Sequence, residues 1–298
     1  MKFLYLLCAF VLLSGFPTIV KAQDVLGTGE YTAGKTVTFD EKVTPTDDKQ
    51  DIFDLNIPED AEITVIEDKH ANDYQISSVE NLSKLYWKKN ALDLNQDKAI
   101  DNYLLINECE IYKQFYSDDF EWLRIRQAGR DMLKHSKDSF SDKIKVIVPV
   151  DLGRYSHEKK GFPLINDTAF LDLRRIEIGG NLANEKICDT NYDLEFYPKN
   201  IILILSKPFT FDFVKLDEHV AQAYIVQQKY NPIKIPHELK DKKYERLAFA
   251  RIRITFRAYQ GETKGADGYM RAIMFGNLDG IDIFEDINET RLLTSFDF

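Results

Sequence analysis

Apolar residues change their rhythm near the middle of the chain. From about Ser78 to His135 they recur every three or four positions, and beyond Lys143 they recur every second position with β-branched residues enriched. The first half therefore predicts helices. Ser78 opens one that runs to about Lys89 with Val79, Leu82, Leu85 and Tyr86 on a single face. A second runs from Asp97 to about Tyr116 and carries Ile100, Tyr103, Leu104, Ile106, Ile111, Tyr112 and Phe115. Ser117 caps a third, with Asp118, Asp119 and Glu121 in its first turn and Lys134 and His135 near its end. Its Phe120, Leu123, Met132 and Leu133 are expected to face the core.

The second half predicts strands at 143–152, 169–178, 201–205, 247–259, 269–275 and 281–284, with one helix at 217–229. Helices gathered in front of strands point to an α+β fold, with N-terminal helices packed on a mostly antiparallel sheet. No internal repeat interrupts the pattern.

The region before this carries little periodicity. Residues 1–22 read as a secretory signal: Lys2, an unbroken apolar run from Phe3 to Leu13, the helix breakers Ser14, Gly15 and Pro17, and a cleavage site after Ala22. The rival reading is a membrane anchor, but an apolar run of this length covers only about half of a bilayer core as a helix. Residues 23–75 read as an acidic, partly disordered arm with strand-like pieces at 36–39 and 62–66, and 76–298 as a single α+β domain. No later stretch is apolar enough to span a membrane after signal cleavage.

Charge narrows the partners. The chain has 39 Lys and Arg against 49 Asp and Glu, and loss of Lys2 and Lys21 with the signal makes it more acidic still. Such a surface repels phosphate backbones, so nucleic acid is excluded as a partner.

Candidate chemistry is sparse. Cys109 and Cys188 survive signal cleavage and would pair in an oxidising compartment if the fold brings them together; otherwise they are buried thiols. Asp93, Asn95, Asp97 and Asp101 stand at alternate places like the oxygens of a calcium loop. Lys98 occupies the place of the turn glycine and Leu104 that of the bidentate acid, so Asp97 fits better as a helix-capping residue. No two of His70, His135, His157, His219 and His237 stand at metal-ligand spacing, and no nucleophile elbow, phosphate loop or dinucleotide fingerprint occurs. No catalytic residue and no cofactor is indicated. Asn81, Asn166 and Asn288 open sequons at about the frequency expected by chance. The tail from Leu292 to Phe298 alternates as barrel-closing strands do, but a last strand of a soluble sheet or a frayed tail fits the helix-rich chain better.

One segment has a shape of its own. The strand at 146–152 runs into Gly153, Tyr155, His157 and then Gly161-Phe162-Pro163-Leu164. With Leu85-Tyr86-Trp87, Phe120-Glu121-Trp122 and the stretch from Phe209 into Asp217, this resembles an exported bacterial family known as a domain of unknown function (DUF4852-like), over about 78–259. The resemblance implies no activity. Tyr155 and Phe162 are expected to pack across a hairpin whose turns Gly153 and Gly161 permit, and are the candidate binding residues.

These readings favour an uncharacterised exported protein of the periplasm or beyond, a non-enzymatic module binding an envelope protein or polymer. The alternative is a hydrolase of an envelope polymer that uses carboxylates drawn together from distant parts of the chain.

Overall fold

A computed structural model describes residues 66–179, 187–188, 194, 197–230 and 243–298. The signal at 1–22, the strand-like piece at 36–39, the piece at 62–66 apart from Ile66, and most of the arm lie outside the described residues.

The elements in chain order are β1 (Gln75–Ile76), α1 (Val79–Lys88), α2 (Asp97–Asn107), α3 (Cys109–Phe115), α4 (Asp119–Ser136), β2 (Lys143–Leu152), β3 (Gly161–Ile165), β4 (Phe170–Gly179), β5 (Asn200–Phe211), β6 (Phe213–Lys215), α5 (Glu218–Tyr230), β7 (Leu247–Lys264), β8 (Met270–Phe284) and β9 (Leu292–Asp297). Among the described residues these strands form one sheet in the order β4-β5-β8-β7-β2-β3-β6. β1 pairs with β2, and β9 pairs with β8. The pairings β1–β2 and β5–β8 are parallel and the others antiparallel. The fold is thus α+β with a mostly antiparallel sheet.

Strict alternation along β7 produces two different faces. Ala248, Ala250, Ile252, Ile254 and Phe256 lie in the main core, beside Ile144, Val146, Val148 and Val150 of β2 and Ile281 and Ile283 of β8. The same apolar cluster takes in Val79, Leu82, Leu85 and Tyr86 of α1, and Ile100, Tyr103 and Leu104 of α2. Leu247, Phe249, Arg251 and Arg253 fall on the opposite face and are buried as well.

Ser78 caps α1 by accepting the N–H of Asn81, as the sequence suggested. Four local expectations are corrected. The helix expected over 97–116 is two, parted at Glu108. There the Asn107 amide turns inward to donate to the Tyr103 carbonyl and the Ser83 hydroxyl, while Cys109 is held by its disulfide. The cap of α4 is Asp118, not Ser117; its carboxylate accepts from the N–H groups of Phe120 and Glu121.

The third correction concerns the inner face of α4. Leu133 is buried as expected, but Phe120 is 84% exposed and Leu123 61%, and Met132 also reaches solvent. The inward face is instead Trp122, Arg126, Gly129 and Leu133. A Cβ on Gly129 would stand 3.3 Å from Leu104, so the missing side chain lets α4 lie against α2. Arg126 is taken inward by a carboxylate on α2.

The strands expected at 269–275 and 281–284 are one. Gly276 and Gly280 look like turn residues, but β8 continues through them opposite β7, with register shifts absorbing the mismatch. β9 pairs with β8, so the alternating tail is a sheet strand.

Candidate functional site

The hairpin around Tyr155 is a stapled structure. Gly161 and Ser156 bridge across its turn, and the left-handed residue is Lys160, at φ 52°. Gly161 serves a different need: a Cβ there would strike the Val214 carbonyl and the Phe213 ring of β6. Tyr155 and Phe162 pack edge to face at 5.2 Å, Phe162 meets Tyr224 of α5 in the same manner, and the Tyr224 hydroxyl donates to the Leu247 carbonyl of β7. The Tyr155 hydroxyl donates to the Leu216 carbonyl. Phe162 is fully buried and offers no surface to a ligand; Tyr155 keeps one, with His157 against its ring and Glu218 3.3 Å from that imidazole.

The residues of the calcium-like loop point in different directions. Asp93 accepts from the backbone and side-chain N–H groups of Asn95. Asp97 is the first residue of α2, preceded by the cap residue Gln96, and its carboxylate meets Arg126 and Arg130. Asp101 is buried and accepts from Arg126 at 2.7 and 2.8 Å and from the Trp122 indole at 3.0 Å. These contacts fasten α2 to α4. Among the described residues, no group of three His, Cys, Asp or Glu side chains could hold a metal ion.

Cys109 and Cys188 are joined in a disulfide with their Cα atoms 5.3 Å apart. The bond ties the start of α3 to a segment whose Ile187, Leu194 and Tyr197 are core residues, Tyr197 meeting Tyr86 of α1 edge to face at 5.3 Å.

The densest polar cluster lies on the second face of the sheet, where the sequence marked no site. Arg251 and Arg253 of β7 are buried and share Asp282 of β8, itself buried. The Nε of Arg251 donates to Asp282 at 2.8 Å, while its outer nitrogens meet both oxygens of Asp68 at 2.6 and 2.7 Å. Glu289 bridges Arg251 and Lys145, and Asp297 of β9 lies 2.5 Å from Arg253. Burial opposes the charge of Asp68, but hydrogen bonds from Arg251 and the His70 N–H prevail and hold its carboxyl below the usual value. The available signal was the Arg-Ile-Arg alternation of β7 facing Ile-Asp-Ile of β8, which puts basic and acidic residues on one face.

The α3–α4 corner presents apolar surface. Phe120 and Leu123 stand one turn apart on α4, next to Tyr116, which is also exposed and stacks on the buried Tyr112 at 4.3 Å. Ile111 is partly exposed on α3. Asp118, Asp119 and Glu121 border the patch.

Among the described residues, two carboxyls are held above their ordinary value by desolvation: Glu285, beside Arg291, and Glu262, which lies against Tyr259. Glu262 pairs with Ala272 near one end of β8, and Glu285 follows the other end. The intervening strand separates them by roughly 40 Å, far beyond the reach of a shared acid–base reaction.

The family model described as Domain of unknown function (DUF4852) matches residues 95–227. The chain is similar to that family from α2 through most of α5, a stretch containing both cysteines of the disulfide and the Tyr155 hairpin. Nothing matches among curated proteins or solved structures.

Proposed function

We propose that the protein is an exported, non-enzymatic binding module of a bacterial cell envelope, and that it meets a partner protein through the α3–α4 corner. In this reading residues 1–22 are removed on export, 23–75 form an acidic arm, and 76–298 make one domain with its helices packed on the sheet. The observation that carries the binding role is the exposure of Phe120 and Leu123. Large apolar side chains grouped on a surface mark contact sites more often than solvated faces. Their acidic border fits an apolar groove rimmed by Lys and Arg.

The Cys109–Cys188 bond supports the compartment, because such bonds persist where thiols are not kept reduced. Among the described residues, Glu262 and Glu285, the carboxyls held above their ordinary value, lie toward opposite ends of β8 and add nothing to the carboxylate-hydrolase alternative.

The test is photo-crosslinking in cells from position 124, exposed beside Leu123, read beside thermal melting. Phe120→Ala with Leu123→Ala is expected to leave the melting temperature within about 1 °C, since neither side chain is in the core, while removing a discrete protein crosslink. Crosslinks that survive both substitutions would overturn the contact face, and crosslinks to glycan alone would replace the protein partner by a polymer. Recovery of the chain from the cytosol with Met1 still attached would remove the envelope role.

A further inference from the structure

We infer that the outer edge of the Arg251 guanidinium is a carboxylate-binding site, which the chain fills with its own Asp68 and which a carboxylate side chain of an acidic peptide can take. Arg251 is fixed from beneath: its Nε is held by the buried Asp282, and Glu289 touches Nη1 from the side. The two outer nitrogens project in the plane of the fork and meet the two Asp68 oxygens at 2.6 and 2.7 Å, the paired geometry by which guanidinium groups recognise carboxylates. When Asp68 leaves, Asp282 and Glu289 stay on Arg251, so the fork keeps its shape.

The occupant is attached differently. Residues 66–74 carry no helix or strand and cross the second face through polar contacts. Asp68 sits on Arg251, His70 lies 3.6 Å from Asp297, and the Tyr74 hydroxyl donates to Asp279. Lys69, Ala71, Asn72 and Asp73 are exposed, and Tyr74 is the one buried apolar anchor of this stretch. A segment held this way opens at a lower free energy than the strands beneath it. Asp68 is itself 21% exposed, so solvent reaches the outer side of the carboxylate that covers the buried Arg251. The chemistry selects a carboxylate, and Asp68 presents its own from the start of a turn in which its carbonyl accepts from the Ala71 N–H, so an acidic side chain on a peptide fits the same fork.

The test uses the full chain with Asp68→Ala, which empties the fork and leaves the rest of the segment in place. Formate at constant ionic strength is expected to raise the melting temperature of this variant by roughly 3 °C in a saturable manner. The native chain, and Asp68→Asn, whose amide still fills the space, should respond weakly. An equal response in all three, or an equal response to chloride, overturns the site. Hydrogen exchange of the native chain supplies the second measurement. Amides of 66–74 should exchange well before those of β2 and β7, and faster still with an added acidic peptide. Exchange of 66–74 only on global unfolding would show that Asp68 cannot be displaced.

Discussion

Replacing Cys109 and Cys188 together by serine tests the joint between the helices and the sheet. The bond closes a loop of 79 residues, and the loop-entropy relation gives about 4.5 kcal/mol for a loop of that length at 25 °C. Native contacts should hold part of the segment in place without the bond, because Ile187, Leu194 and Tyr197 are core residues. For a domain of this size the loss translates into a fall of roughly 10 to 15 °C in melting temperature. Calorimetry of three samples measures it: the oxidised chain, the same chain with reductant, and the double variant. The two samples lacking the bond should melt together, well below the first. An oxidised sample melting within about 2 °C of the double variant would refute the reasoning, since a bond across so long a loop cannot be thermodynamically silent.

Three further outcomes are expected. Gly161→Ala, which forces a methyl onto the Val214 carbonyl, should lower stability in urea by about 2 to 3 kcal/mol by parting β3 from β6. Asp101→Ala should cost about 3 kcal/mol by stranding the Arg126 guanidinium and the Trp122 indole, and Arg126→Met made in the same chain should recover part of that loss in a double-mutant cycle. The third is a pH dependence. The Asp68 carboxyl lies below its ordinary value of 3.8, so its contribution is complete above that pH and is lost as pH falls through the depressed folded value. Acid titration of Asp68→Asn should therefore show a shallower loss of stability than the native chain below about pH 4, and parallel curves would show that Asp68 gains nothing from Arg251.

Helix and strand positions were largely legible because periodicity reports which residues a regular element can bury. Ser78 with Val79, Leu82, Leu85 and Tyr86 defined α1, and the alternation of 143–152 matched β2 residue for residue. The failures share a cause. On α4 the inward stripe includes Gly129 and Arg126, neither of which scores as apolar. Gly129 is there for close approach and Arg126 for Asp101, and both needs are set by α2. On β7 the alternation correctly separated two faces, but Arg251 and Arg253 read as a wet one. Their burial depends on Asp282, Asp68 and Glu289, which are scattered from the start of the described chain to its end. The cysteine pairing needed a spatial approach that spacing cannot supply. The Tyr155–Phe162 contact was legible because both rings belong to one hairpin.

The strand order also fixes when this protein can exist. β7 and β8 form the middle of the sheet and follow its other long strands in the described chain, and β2 and β5 each wait for one of them as a lateral neighbour. A nascent chain that has reached only the end of α5 holds β4 with β5 and β2 with β3, two sheet fragments with nothing between them and with naked edges suited to aggregation. The stretch at 95–227 is consequently no autonomous folding unit, and a fragment cut to those limits should be insoluble. Completion of the sheet comes only when the ribosome has delivered β8, so chaperones have the whole interval from β2 to β8 in which to hold the chain unfolded.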